Sequence, residues 1–337
     1  MTADSGRPKF SRTAAALEAA ARAALHAPSV FNTQPWRWHL SGDTLELHAD
    51  RTRALSATDP DGRLLLLSCG AALHHARVTL RAAGWNVHVE RPPEEDATGL
   101  LARVTVHDGG GTDQQAESLA AAITVRRTDR RAFGERTVPG GLLTRLRQVV
   151  EAEGAYLHVV RRDQMPMLAT STARAAETES RDPAYRAELE QWTHRPAGSG
   201  DGVPPETAVR QAPRRVPVRD YAPGAAAGLS PGEGFDLGAS YVVLFGRTDR
   251  PGDLLRGGEA LSALLLTATA EGLATAPMSD TIEVEWPRRL VQRLLSGVGE
   301  PYVTVRLGYR DVSDPLPPAP RRPAADVIEV SHPAGRN

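Results

Sequence analysis

Two short segments carry residues whose types and spacing could do chemistry. In Pro28-Ser29-Val30-Phe31-Asn32-Thr33-Gln34-Pro35-Trp36 a hydroxyl and two carboxamides lie between prolines that stop helical continuation at each end. Uncharged donors and acceptors at that density suit the edge of a neutral, planar heterocycle, where carbonyls and N–H groups alternate. The same residues are good turn formers, and an Asx-turn in a helix-ending loop would also use them. The second segment is Arg126-Arg127-Thr128-Asp129-Arg130-Arg131-Ala132-Phe133. Clustered guanidinium groups beside a hydroxyl suit bidentate binding of a phosphate, and a solvated arginine face is the other reading of such a run.

Other residue groups point to no chemistry. His74 and His75 are adjacent on a predicted helix, so they face different directions and cannot chelate one metal together. Gly109-Gly110-Gly111 lacks the Lys-Ser/Thr that follows a phosphate-binding loop. Asp280, Glu283 and Glu285 read as cap and surface carboxylates. Cys69 is the only cysteine and lies in an apolar run, which makes it a small core residue and rules out an intrachain disulfide. No Ser-His-Asp grouping has a local signature.

The elements that must position these segments come as a repeat. Residues 70–84 align without gaps on 258–272, with Gly70 on Gly258, Ala72 on Ala260, Leu73 on Leu261, Thr79 on Thr267 and Gly84 on Gly272. Both stretches predict long helices, apolar on most sides and closed by a glycine that can take a left-handed cap. Helices of that kind belong at the centre of a structure. A valine-rich strand follows each one, 102–106 and 302–306. Extended runs precede them, 36–40 through 45–48 in one case and 156–160 in the other, and helical stretches 13–26 and 141–151 come earlier still. The order helix, strand, helix, strand therefore occurs twice, which predicts a duplicated α+β unit. Only the second copy carries a long stretch dense in Gly, Pro and Ala, from Arg195 to Phe235, and the proline-rich tail after Tyr309 reads as an extended arm.

Bulk properties agree with a soluble globular protein. Hydrophobic residues make up 41% and charged residues 24% of 337, and the formal net charge is −1. Nothing global draws such a chain to nucleic acid or to an anionic membrane. The first twelve residues are polar, without the apolar core of a signal peptide, and no stretch has the length of a membrane span. The expectation is a cytoplasmic protein.

The loop at 28–36 resembles the PSxxNxQPW element of the nitroreductase family, with every specified position filled. The arginine segment is similar to that family's RRSxRxF element, with Thr128 for Ser, Arg131 as an additional basic residue and Phe133 displaced by one position. Glu271-Gly272-Leu273-Ala274-Thr275-Ala276-Pro277-Met278 resembles its GLGT segment, with Ala274 for the second glycine. Residues 303–310 resemble its terminal strand and GY turn.

The resemblance implies an α+β nitroreductase-like fold whose two pseudo-symmetric halves, residues 11–115 and 116–325, mimic a nitroreductase dimer in one chain. Such fused halves are similar to the Acg-type branch. One FMN is implied, because the flavin-edge loop occurs only in the first half and the arginine motif only in the second. Pro28, Ser29, Asn32 and Gln34 would meet the flavin, with Arg126, Arg127, Thr128, Arg130 and either Arg321 or Arg322 at its phosphate. The backbone of Ala276, Pro277 and Met278 would run along the ring. The segment at about 195–235 is expected to be a lid, with Trp192, Tyr221 and Phe235 stacking on the ring or on a planar substrate.

The implied activity is transfer of hydride from NAD(P)H through flavin N5 to a small electrophilic acceptor of the nitroaromatic or quinone class. No catalytic side chain and no metal are required for it. A flavin-sequestering or redox-sensing protein with little turnover is the alternative, and an FMN-dependent oxidase of a biosynthetic intermediate is another. The chain would act as a monomeric pseudo-dimer or a weak homo-oligomer.

Overall fold

The computed structural model describes residues 11–92, 98–196, 198–210, 212–221, 228–232, 234–311 and 315–331. The first half runs α1 (Arg12–Ala24), β1 (Trp36–Ser41), β2 (Thr44–Ala49), α2 (Arg63–Ala82), β3 (Asn86–Glu90) and β4 (Leu100–His107). The second begins with α3 (Gln114–Val125), α4 (Gly140–Ala152), β5 (Tyr156–Val159), α5 (Met165–Arg181) and α6 (Pro183–Thr193). It continues with β6 (Ser240–Gly246), α7 (Pro251–Ala270), β7 (Ala274–Met278), α8 (Asp280–Glu283), α9 (Glu285–Leu294), β8 (Glu300–Gly308) and β9 (Ile328–Ser331).

The two sheets show the duplication. One is ordered β3-β4-β2-β1-β9 and the other β7-β8-β6-β5. Matching β1 to β5, β2 to β6, β3 to β7 and β4 to β8 superposes the two orders, and every matched pairing is antiparallel. Helix α1 then corresponds to α4 and α2 to α7. What differs is inserted in the second half: α5, α6 and the segment up to 239 lie between β5 and β6, and α8 and α9 lie between β7 and β8. Sequence periodicity had not singled out α5 and α6.

The central helices explain the repeat. Helices α2 and α7 are buried along most of their length and cross where their backbones touch. A Cβ added to Gly70 would stand 2.0 Å from the Leu255 carbonyl oxygen and 2.9 Å from the Gly258 Cα. A Cβ on Gly258 would meet the Leu67 oxygen at 2.1 Å. One turn further on, His74 Nδ1 lies 2.8 Å from Ser262 Oγ. Gly70 with Gly258 and His74 with Ser262 are both equivalent positions in the gapless alignment. The contacts are also reciprocal, Gly70 against the Leu255 oxygen and Gly258 against the equivalent Leu67 oxygen, as a local twofold through this crossing requires. Both helices end as expected, with Gly84 and Gly272 at φ +79° and +77°.

The tail crosses between the halves. After β8 the chain runs without regular structure through residues 315–323, and β9 then pairs parallel with β1, setting Trp38 opposite Ile328. No helix among the described residues is long and apolar enough to cross a membrane. His74 and His75 both bring Nδ1 to Ser262 Oγ, at 2.8 and 2.9 Å. They converge on one hydroxyl rather than facing apart, because Ser262 sits between them on the partner helix. No group of three or more metal-ligating side chains occurs among the described residues.

Candidate functional site

The loop after α1 folds tightly. Val30–Asn32 form one turn of 3₁₀ helix, and Phe31, Asn32 and Gln34 all have positive φ, 47°, 55° and 51°. Three non-glycine residues of four in the left-handed region store strain that the surroundings must hold. Ser29 Oγ accepts from the Gln34 amide at 2.9 Å, closing the turn from within. Asn32 Nδ2 donates to the Gly202 and Pro320 carbonyls at 3.1 and 3.0 Å, and its Oδ1 accepts from Arg321 at 3.0 Å. Gln34 Nε2 donates to Gly200 O at 2.8 Å, and Gln34 Oε1 accepts the Arg322 amide at 3.0 Å. The two carboxamides therefore knit the loop to the 198–204 strap and to the C-terminal arm. Gln34 is fully buried, and Trp36 is core.

The arginine segment is laid across the edge of β7. Thr128 bridges to Thr275 in parallel, and the Asp129 amide donates to the Thr275 carbonyl at 2.9 Å. Arg131, the additional basic residue, is structural: its Nε and Nη2 reach the Asp129 carboxylate at 3.0 and 2.9 Å. Arg306 on β8 holds the segment from beneath. It donates to the Asp129 and Arg131 carbonyls at 2.9 and 2.8 Å and grips Asp236 through Nη1 at 2.8 and 2.7 Å. Phe133 packs under the Arg306 guanidinium, whose carbon is 4.1 Å from the ring centre.

These anchors leave Arg126 free to face inward. Its side chain is buried, and Nε and Nη1 have no partner among the described residues. Arg126, Arg127 and Arg321 line one cavity together with His26, Pro28, Ser29, Asn32, Thr128 and Arg130. Burial, and then repulsion from Arg321 and Arg127, pushes the Arg126 pKa down to about 9. Burial and Arg127 bring Arg321 to about 10. His26 is lowered by burial and by the same three guanidiniums. A buried cationic cluster with orphaned N–H groups is unfavourable without an anion, and a phosphate meets that need bidentately.

Packing sets Arg321 and Arg322 on different sides of the arm. Arg321 lines the cavity, held by its bonds to Asn32 and to the His26 carbonyl at 3.0 Å. Arg322 points away, donating to the Gln34 carbonyl at 3.1 Å and facing Asp50 at 3.6 Å. Consecutive residues of an extended arm face opposite sides, so only one can reach the cluster.

A second, more apolar cavity adjoins the first and shares Pro28, Ser29, Thr128 and Arg130 with it. Its walls are Val30, Phe31, Leu64, Leu67, Ser68, Leu261, Pro277, Val303 and Tyr221. The Tyr221 ring is edge-on to Phe31 at 6.2 Å and carries Arg130 over its face at 4.2 Å. A cationic cavity joined to a more apolar one suits a phosphate attached to an apolar ring system.

Several expected residues stand elsewhere. Trp192 is buried against Phe31, Leu55, Tyr185, Leu189 and Val203 and lines neither cavity. Phe235 is 58% exposed. Ala276 and Met278 lie on a smaller neighbouring cavity, which Pro277 shares with the apolar slot. Asp280 and Glu283 are buried rather than at the surface, because the single turn of α8 is covered by α5 and by the strap; Glu285 is exposed as expected. Sequence reasoning missed His26, Ser68 and the apolar wall from α2. Ser68 was the one legible signal, a hydroxyl within the run Leu64-Leu65-Leu66-Leu67 that accepts the Val30 amide at 3.4 Å.

No protein-family model matches the chain. "Putative NAD(P)H nitroreductase Rv3131" of Mycobacterium tuberculosis is 38% identical over 309 residues, spanning 91% of this chain and 89% of that protein. "Putative NAD(P)H nitroreductase acg" of the same organism is 36% identical over 317 residues, covering 93% and 95%. Among solved structures, the FMN-dependent nitroreductase NfnB from Mycobacterium smegmatis, in complex with NADPH, is 18% identical. It covers 65% of this chain and 100% of its own, with a TM-score of 0.41.

Proposed function

The chain belongs to the Acg-type branch of the nitroreductase family, and from that premise we propose that it is an FMN-dependent NAD(P)H oxidoreductase with one flavin per chain. The observation that carries this reading is the set of three guanidiniums, Arg126, Arg127 and Arg321, lining one cavity without a carboxylate partner among the described residues, beside a more apolar cavity that shares its wall. These arginines with Thr128 would hold the phosphate. Pro28, Ser29, Leu64, Leu67 and Pro277 would enclose the ring. Bound there, FMN supplies reversible hydride chemistry that no side chain of the protein offers.

The protein's own contribution is placement. The strained loop presents Ser29 with its O–H still available to donate, since its oxygen only accepts from Gln34. Arg130 stands where the cationic and apolar cavities meet, a position from which its charge favours electron-rich states of the ring. The acceptor is a planar electrophile of the nitroaromatic or quinone class, matched to a slot walled by Phe31 and Tyr221. Anaerobic mixing of the purified FMN-bound protein with NADH or NADPH tests the reading: bleaching of the flavin band is expected, and reduction by dithionite alone would overturn it.

A flavin-holding role with little turnover is the second reading, and one observation favours it. The strap between α6 and β6 forms part of both cavity walls, through Gly202, Val203, Pro204 and Thr207 in one and Tyr221 in the other.

A further inference from the structure

Reduction of a quinone or nitro group consumes protons as well as electrons, and none of the groups named so far supplies one. A third cavity adjoins the apolar slot, sharing Arg130, Tyr221, Pro277 and Ser279 with it and adding Asp280 and Arg219. Arg219, carried by the strap, reaches Glu179 on α5 at 3.1 Å and Glu283 on α8 at 2.6 Å. All three carboxyls, Glu179, Asp280 and Glu283, are buried around this one guanidinium. The other charged groups do not balance them. Arg306 is engaged by Asp236, Arg130 lies over the Tyr221 ring, and Tyr185 on α6 is neutral.

Three ionised carboxylates with buried side chains facing one cation would be strongly unfavourable. The cluster is relieved by holding a proton, as two carboxyls sharing one site do. Burial, and then repulsion from Glu179, drives both Asp280 and Glu283 upward, Asp280 to about 6, with Arg219 opposing the rise. Arg219 also keeps Nε and Nη1 buried without a partner while lining the same cavity, so a polar group or water belongs beside it.

We propose that Asp280 holds the proton that the reaction consumes and delivers it to an acceptor lying in the adjoining slot, with Glu283 and Glu179 restoring it. This rests on the functional reading above. In the overall balance NAD(P)H gives a hydride equivalent, two electrons and one hydrogen, to a quinone. The Asp280 O–H bond breaks as an O–H bond forms on the quinone oxygen, and the products are NAD(P)+ and a hydroquinone. The Asp280 carboxylate then regains a proton from its buried neighbours and, through them, from solvent.

The test compares the FMN-loaded full chain with Asp280→Asn and Asp280→Glu. Ferricyanide accepts electrons without a proton, so the ratio of benzoquinone to ferricyanide turnover isolates proton delivery. Asp280→Asn is expected to lower that ratio at least tenfold and to abolish its decline with rising pH, whereas Asp280→Glu recovers part of it. In carbon-13 spectra of the side-chain carboxyls, several resonances should titrate above the usual range, and one of them should vanish in Asp280→Asn. An unchanged ratio in a variant that retains FMN overturns the donor role alone, as does persistence of every high-titrating resonance of the parent. A parent protein that turns over neither acceptor with NADH or NADPH overturns the functional reading, and the donor role with it.

Discussion

Arg321 donates from Nη1 to Oδ1 of Asn32 at 3.0 Å, across a sequence separation of 289 residues. That bond, with those from Nη1 to the Pro320 carbonyl and from Nη2 to the His26 carbonyl, joins the C-terminal arm to the strained loop of the first half and holds Arg321 in the cavity that Arg126 also lines. The cationic cavity therefore depends on both halves at once. Arg126→Ala removes a cation without touching this scaffold and should weaken FMN binding by about 1.5–3 kcal/mol, the scale of a charge-assisted contact. Riboflavin, which lacks the phosphate, should bind parent and variant alike in a fluorescence titration. Equal FMN affinity in the variant would mean that the cluster holds no phosphate.

The crossing of α2 and α7 leaves no room for a side chain. Gly70→Ala or Gly258→Ala would place a Cβ about 2 Å from a backbone carbonyl of the other helix. Urea denaturation should show a loss of at least about 2–3 kcal/mol for either. Gly252→Ala, in the first turn of α7 with nothing near its Cβ, should stay within about 0.5 kcal/mol of the parent. Comparable stability for all three variants would refute backbone contact at the twofold.

Asp280 also predicts how stability varies with pH. Its folded pKa, raised to about 6 by burial, lies above its unfolded value near 3.9. The folded state therefore binds the extra proton between those values, and stability falls as pH rises through that window. Asparagine cannot ionise, so Asp280→Asn should gain on the parent between pH 4 and pH 7, by on the order of 1–3 kcal/mol at the upper end. Denaturation midpoints that stay parallel across this range would contradict a protonated Asp280.

Tyr221 covers the apolar slot from the strap. Tyr221→Ala should leave the phosphate cluster intact and retain FMN while speeding flavin reduction by NAD(P)H in stopped-flow mixing. Unchanged reduction kinetics with full FMN content would show that the strap does not gate the ring.

The loop at 28–36, the arginine segment and the paired central helices were legible because each signal is local: fixed polar residues between prolines, a run of like charge, an apolar period ended by glycine. The glycine match of the repeat proved to mark the axis itself, since only glycine at both equivalent positions permits the crossing. Partnerships across long separations were not legible. Arg306 read only as part of the terminal strand, and its grip on Asp236, 70 residues earlier, has no local signature. Glu283 looked like a surface cap because a single helical turn shows no period, and it is buried by Arg219, 64 residues earlier. Strand β9 is four residues long and takes its place only from pairing with β1. Trp192 is aromatic and close to the strap in sequence, but a small apolar cluster under α6 claims its ring.

Two halves, each carrying different parts, are expected to build one flavin site. Releasing the cofactor by denaturation and quantifying it against protein tests this directly. One FMN per chain is the predicted result, and it should fall toward zero in Arg126→Ala washed at low FMN. Two equivalents per chain, or a stoichiometric flavin that lacks the phosphate, would contradict it.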